Sequence, residues 1–287
     1  MKNILFICSG NTCRSPMGEA LFCSVASRLG LEFQVMSAGL SAFVGDTASE
    51  DAISVMREMG LDIDSHRSRA VSPLLLQQAD RIFCVTEAHK RALLPYVEES
   101  RLYAPRTPIS DPFGCGIEAY RDCAAQLKKE VCKFLLEVYD FKIVPMSAQY
   151  ISDLAEIEQE CFSTPWTEAG LNEELINPHA RFFVAVLEDK TAGYIGSHNV
   201  AGECYITNVA VSEKYRRLGI GEALVDSLLK AAAAEKWEFV SLEVRESNSS
   251  AIALYSSCGF EKVGCRKNFY AKPIENAIIM TRFFNGD

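Results

Sequence analysis

The chain has 287 residues, which is room for two domains of ordinary size, each able to bury its own core. Its composition, 48% hydrophobic and 23% charged, is that of a globular protein, and no apolar run approaches the roughly 20 residues of a membrane span. A net charge of −9 excludes the basic field that a general nucleic-acid or anionic-membrane binder needs.

The opening residues are apolar but too short for a signal peptide and lack a small-residue cleavage pattern. The 11 cysteines are scattered, with no CxxC pair and no Cys/His cluster at zinc spacing. Reduced thiols in the cytoplasm, and no bound metal, are the expectation.

Residues 3–7 read as a buried strand, and 16–29 as a helix with proline in its first turn. Residues 33–36 form a strand and 50–59 a helix closed by Gly60. A strand over 81–85 precedes a helix over 87–94, a short strand over 101–103 and a long helix over 117–139. Alternation of strand and helix predicts a parallel sheet covered on both faces.

The pattern restarts at residue 142, so the domains are expected to be 1–141 and 142–287. A helix over 147–161 follows. Strands over 181–187 and 192–199 are joined by a turn at 188–191, and another strand covers 205–211. A helix over 219–235, a strand over 239–244, a helix over 249–257 closed by Gly259 and a strand over 277–283 complete the reading.

Two segments carry chemistry in the first half. Cys8-Ser9-Gly10-Asn11-Thr12-Cys13-Arg14-Ser15-Pro16 leaves a strand, makes a small-residue loop and enters a helix. Such a loop turns backbone N–H groups inward at the positive end of a helix dipole, which makes an anion site. Arg14 adds a guanidinium that grips two phosphate oxygens. Cys8 sits under the same field, which favours a thiolate nucleophile, and Ser15 can hydrogen-bond its sulfur. The G-K-[ST] ending of a nucleotide-binding loop is missing. Downstream, Asp111-Pro112 presents a carboxylate beside a rigid ring. It can protonate a leaving group and then activate water. The plainer readings are a core thiol for Cys8 and a turn-forming Asp for Asp111.

Together these residues resemble the low-molecular-weight protein phosphatase family over about residues 1–139. The matching pieces are C-S-G-N-T-C-R-S-P, S-A-G-L from Ser37, S-H-R-S-R from Ser65 and D-P-F-G from Asp111. The resemblance implies a doubly wound parallel α/β sheet, Cys8 as nucleophile, Arg14 as phosphate clamp, Ser15 as thiolate stabiliser and Asp111 as general acid. The loop residues Ser9, Gly10, Asn11, Thr12 and Cys13 bind the phosphoryl group, and Asn11, Ser37 and His66 match a supporting network. Thr12 stands where tyrosine-specific members carry an aliphatic residue and resembles the protein-arginine phosphatase branch, so phosphoarginine is favoured and phosphotyrosine stays open. Arsenate reduction is disfavoured, since Arg91 stands where a second resolving cysteine after Cys84 would be.

In the second half, Arg216-Arg217-Leu218-Gly219-Ile220-Gly221 follows the apolar strand Asn208-Val209-Ala210-Val211 and opens a helix, an arrangement that lets N–H groups approach a pyrophosphate. Leu242-Glu243-Val244-Arg245-Glu246-Ser247-Asn248 reads as a strand ending in a polar turn, with Asn248 placed to cap the next helix and Tyr255 two turns into it. Acyl transfer to an amine needs a base and benefits from a proton donor to the departing thiolate, and Glu243 and Tyr255 are the candidates.

These pieces resemble the GNAT acetyltransferase superfamily, and within it the ribosomal-protein-alanine N-acetyltransferase family, over about residues 142–284. The resemblance implies a GNAT-type mixed α/β domain with acetyl-CoA as co-substrate. It would be held along Val209, Ala210 and Val211, at Arg217, Leu218, Gly219, Ile220, Gly221 and Glu222, and by Asn248. Glu243 is implied as general base and Tyr255 as general acid. The expected acceptor is a protein N-terminal amine, in the family a small-subunit ribosomal protein. The chain is thus expected to be a bifunctional enzyme acting on a phosphorylated protein and on an N-terminal peptide. The rival is a chain in which one domain serves only as an interaction module.

Overall fold

The computed structural model describes residues 1–284. The chain divides into two compact units, one ending at Val138 and the next beginning at Tyr139.

The first unit runs β1 (Lys2–Cys8), α1 (Arg14–Leu29), β2 (Phe33–Gly39), α2 (Glu50–Glu58), α3 (Pro73–Gln78), β3 (Arg81–Cys84), α4 (Glu87–Leu93), β4 (Leu102–Tyr103) and α5 (Ile117–Val138). Its four strands lie in the order β2-β1-β3-β4, all parallel. The central strand β1 is buried without a break from Ile4 to Cys8, as a strand covered on both faces must be. On one face Phe6 packs against Phe22 of α1 and Phe134 of α5, with ring centroids 5.8 and 6.0 Å apart. On the other, Leu5 and Ile7 share a cluster with Leu76 of α3 and Leu93 of α4.

Helix α1 begins at Arg14, two residues before the sequence-based start at Pro16. Proline is tolerated there because the first-turn N–H groups have no intrahelical partner. Cys13 at its N-cap makes no side-chain cap bond, so those donors stay directed at the loop. Helix α3, six residues long, was not expected from periodicity.

The second unit runs β5 (Phe141–Pro145), α6 (Ile151–Cys161), α7 (Glu168–Glu174), β6 (Ala180–Leu187), β7 (Lys190–Val200), β8 (Glu203–Val211), α8 (Ile220–Ala234), β9 (Phe239–Arg245), α9 (Ser249–Ser257), β10 (Glu261–Ala271) and β11 (Ile274–Phe283). Phe141 already pairs with Leu187, so the second sheet starts one residue before the restart read from sequence. The sheet order is β10-β11-β9-β8-β7-β6-β5. Every neighbouring pair is antiparallel except β8 and β9.

The turn between β6 and β7 is only two residues, Glu188 and Asp189, both with positive φ, and Lys190 and Thr191 belong to β7. Strand β10 was not anticipated. It is an exposed edge strand with two register irregularities, so it shows no alternation of apolar and polar residues.

One feature of this sheet makes a site. The parallel pair β8 and β9 is bonded only between Glu203–Tyr205 and Phe239–Ser241. Beyond Tyr205 the two strands diverge, leaving Val209–Val211 on one side and Glu243 on the other of an opening wedge.

Candidate active sites

In the first unit, Cys8 ends β1 and is 2% exposed. Its sulfur lies 2.9 Å from Ser15 Oγ and accepts a bond of 3.2 Å from the Asn11 backbone N–H. Asn11 holds the loop's shape. Its φ of 57° is left-handed, a conformation asparagine adopts more readily than most residues. Its side chain is wholly buried and fully engaged: Nδ2 donates to Ser15 Oγ and Ser37 Oγ, each at 2.9 Å, and Oδ1 accepts from Arg69 N at 2.9 Å. His66 Nε2 donates to the Asn11 carbonyl at 2.7 Å.

Gly39, at the end of β2, must be glycine, since a Cβ there would stand 2.5 Å from the Ser9 carbonyl oxygen and 3.0 Å from Asn11 N. The S-A-G-L motif is therefore a backbone wall against which the loop is pressed.

Arg14 is buried and donates to Asp111 Oδ2 at 2.6 Å, while Asp111 itself is about half exposed. The two residues meet across 97 positions of sequence at the mouth of a cleft of about 590 Å³. The loop from Cys8 to Arg14 lines it, with Phe43, Asp46, Glu50 and Phe113 on the rim. Thr12 faces this cleft, whereas the Cys13 thiol turns to Tyr120 OH (3.1 Å) and Ser49 Oγ (3.4 Å). Cys84 is wholly buried at the end of β3, and burial pushes its thiol up to about 12.

Sequence reasoning missed His89. Its Nε2 lies 3.0 Å from Ser9 Oγ and its Nδ1 2.5 Å from Thr86 Oγ1, so α4 braces the first residue of the loop after the cysteine. Burial, then the Arg14 charge, push this imidazole below its ordinary range. Thr86 caps α4, its Oγ1 accepting from His89 N at 3.4 Å, but nothing local in the sequence ties His89 to a loop 80 residues away.

In the second unit a cleft of about 620 Å³ lies between the end of β8, the loop that opens α8, and α9. Val209, Ala210 and Val211 form one wall, Arg217, Gly219, Ile220, Gly221 and Glu222 another, and Asn248 and Tyr255 a third. Arg217 and Gly219 have φ of 66° and 89°, which turns the backbone tightly before α8. Gly219 is the N-cap of α8 and supplies no side-chain cap, so the first-turn N–H groups are available to an anion. These features suit a pyrophosphate. The Leu218 side chain is buried, so only its backbone can serve.

Asn248 caps α9, its Oδ1 accepting from Ala251 N at 3.1 Å. Tyr255 is 7% exposed, and burial pushes its phenol up, which keeps the proton on the oxygen. Glu243 is placed differently. It does not line the cleft, and its carboxylate pairs with Arg266 of β10 at 3.3 Å. The cleft also takes in Cys161 and Phe162, which open a segment matching the acetyltransferase family, together with Tyr215 and Leu254, and the sequence had given none of the four a place in the site.

Comparison with known proteins follows the same division. Residues 3–142 match the family described as low molecular weight phosphotyrosine protein phosphatase, and residues 151–260 match the acetyltransferase (GNAT) family. The protein-arginine-phosphatase of Bacillus subtilis (strain 168) is 32% identical over 136 residues, 44% of this chain and 90% of the relative. The [ribosomal protein bS18]-alanine N-acetyltransferase of Escherichia coli (strain K12) is 37% identical over 134 residues, 43% of this chain and 84% of the relative. A crystal structure of a low molecular weight protein tyrosine phosphatase from T. tengcongensis aligns with a TM-score of 0.46 at 31% identity, covering 48% of this chain and 99% of that one.

Proposed function

Since the chain belongs to two families, the low molecular weight phosphotyrosine protein phosphatases through its first half and the GNAT acetyltransferases through its second, we propose that it is a bifunctional enzyme that dephosphorylates proteins and acetylates a protein N-terminus.

The observation that carries the phosphatase reading is the Cys8 sulfur, held between Ser15 and the Asn11 N–H beneath the uncapped start of α1. The Cys8 thiolate attacks phosphorus in line, and the loop N–H groups and Arg14 hold the three equatorial oxygens. Asp111 donates its proton to the leaving atom as the bond from phosphorus breaks. The resulting phosphocysteine is hydrolysed by a water from which Asp111 takes a proton, restoring the free thiolate and releasing phosphate. Asp111 reaches both positions because its loop stands at the cleft mouth, tethered by Arg14.

Phosphoarginine is the favoured substrate. Thr12 places a hydroxyl beside the phosphoryl site, and the rim carries Asp46 and Glu50. A carboxylate rim repels a bare anion but attracts a phosphoryl group borne on a guanidinium. The arginine phosphatase of B. subtilis supports the same choice. The exposed rings of Phe43 and Phe113 favour a second reading, phosphotyrosine, whose flat ring they would sandwich.

The diverging β8 and β9 carry the acetyltransferase reading. The edge of Val209–Val211 turned away from β7 would bind the pantetheine arm of acetyl-CoA, with the Val211 carbonyl already held by Arg216 Nε at 3.1 Å, and the loop Arg217–Glu222 with the start of α8 would bind its pyrophosphate. Asn248 supports the cleft through its cap on α9. Glu243 takes a proton from the incoming amine, either after releasing Arg266 or through a water, and Tyr255 hands its proton to the leaving thiolate. The acceptor is proposed to be the N-terminal amine of a small-subunit ribosomal protein, by likeness to the bS18-alanine N-acetyltransferase. A cytoplasmic location is proposed with these substrates, and the free cysteines among the described residues are consistent with a reducing compartment.

The test is to assay one purified preparation for phosphate release from phosphoarginine and phosphotyrosine peptides, and for acetyl transfer from acetyl-CoA to an alanine-starting peptide. The absence of either activity refutes bifunctionality.

A further inference from the structure

A buried carboxylate unused by the proposed chemistry lies behind the acetyl-CoA cleft. Glu158, on α6, is wholly shielded from solvent. Its Oε1 accepts from Tyr194 OH of β7 and from Asn208 Nδ2 of β8, the latter at 2.8 Å, and its Oε2 accepts from the backbone N–H of Trp166 at 2.8 Å. Burying a carboxylate is costly unless its lone pairs are met, and here three donors converge on it. Burial, then the neighbouring Glu158, push the Tyr194 phenol up, so it remains a donor.

The cluster adjoins the cleft through residues next to its members. Asn208 directly precedes Val209 on the cleft wall. Phe162, just past the end of α6, lines the same cleft, and its N–H bonds the Glu158 carbonyl at 2.9 Å. Ser163 Oγ donates to the carbonyl of Lys272 at 3.2 Å, between β10 and β11, the hairpin that carries Arg266 over Glu243. Segment 162–166 therefore runs from the cofactor strand to the hairpin above the proposed base. The Trp166 ring rests on Phe182, with centroids 6.2 Å apart, and among the described residues only Glu158 holds its backbone N–H.

We infer that Glu158 is a positioning residue for acetyl transfer: its carboxylate clamps segment 162–166 to β8, fixing the wall against which the acceptor amine is presented. This rests on the acetyltransferase reading above. A carboxylate suits the post because it is acceptor-only and takes donors on both oxygens, whereas a carboxamide offers one oxygen to the three donors and leaves at least one of them unmet. Asn208 supplies a reciprocal position. With Glu158→Gln, Asn208→Asp returns a carboxylate to the cluster and gives the new amide an acceptor.

The experiment uses the full chain. Acetyl transfer to an alanine-starting peptide is measured with peptide and acetyl-CoA varied separately, for wild type, Glu158→Gln, Asn208→Ala and Glu158→Gln/Asn208→Asp. Phosphatase turnover of p-nitrophenyl phosphate serves as an internal count of chains. Glu158→Gln should raise the acceptor KM about tenfold, the scale set by leaving one buried donor unmet, with phosphatase turnover unchanged. Asn208→Ala should raise it less, and the double variant should recover most of the loss. A merely structural carboxylate would lower kcat in proportion to the unfolded fraction and leave KM alone, and that result overturns the inference. So does a double variant no better than Glu158→Gln. A wild-type chain that transfers no acetyl group would sink the acetyltransferase reading, and this inference with it, before any variant is compared.

Discussion

Asn11→Ala should unfold the phosphatase unit early, and the size of the effect follows from the loop. The side chain makes three buried hydrogen bonds, to Ser15, Ser37 and Arg69 N, and each contributes about 1 kcal/mol net. Alanine would also have to hold a φ of 57°, at a cost of about 1 kcal/mol. The sum, roughly 4 kcal/mol, is a large fraction of the 5–15 kcal/mol that stabilises a typical domain. Asn11→Gly should recover about 1 kcal/mol of it, because glycine accepts the left-handed backbone while still losing the bonds. Both tryptophans, Trp166 and Trp237, lie in the second unit, so tryptophan fluorescence follows that unit alone. Residual phosphatase activity against urea should shift to a much lower midpoint in Asn11→Ala, while the fluorescence transition stays in place. A variant within about 1 kcal/mol of wild type would show that the loop is held by something other than this network.

Thr12→Ile should lower the rate on phosphoarginine peptides relative to phosphotyrosine peptides, and an unchanged ratio removes Thr12 from the specificity argument. His89 gives a pH signature. Its imidazole is depressed in the folded state, so the unfolded chain takes the proton first as pH falls below about 6.5, and stability is lost from there down to the lower folded value. His89→Asn should therefore flatten the first unit's stability between about pH 7 and pH 5, and urea midpoints that keep the wild-type slope would contradict it. Glu243→Gln should lose most acetylation rate at low pH, where an N-terminal amine of pKa about 7.7–8.0 is charged, and partly recover as pH rises. Tyr255→Phe should stay slow throughout while still binding acetyl-CoA, and two profiles parallel to wild type with little loss of rate would return both residues to structural roles.

What could be read from sequence was what is local. The unbroken apolar run of β1 and the small-residue loop before Arg14 report a buried parallel strand entering an anion site, because both signals lie within 16 adjacent residues. The Asn248 cap was equally legible, since a cap needs only the next turn of helix. Strand β10 was not, because an edge strand exposed along nearly all its length has no buried face to impose a period of two. Helices α3 and α7, of six and seven residues, show little helical period, and unlike the equally short α4 neither directly follows a strand that marks its start. Glu158 looks like one more charge on an amphipathic helix, and its burial exists only because β7 and β8 bring Tyr194 and Asn208 to it from 36 and 50 residues away. The pairing of Glu243 with Arg266 likewise depends on the unforeseen β10.

The central claim is that one chain carries two separable active sites, and the most direct measurement assays both activities on wild type, Cys8→Ser and Tyr255→Phe from parallel preparations. Cys8→Ser should release no phosphate from a phosphoarginine peptide while acetylating an alanine-starting peptide at the wild-type rate, and Tyr255→Phe should do the reverse, keeping phosphatase turnover and losing acetyl transfer. Phosphate release that survives Cys8→Ser, or an acetylation rate that falls with it, would contradict the account.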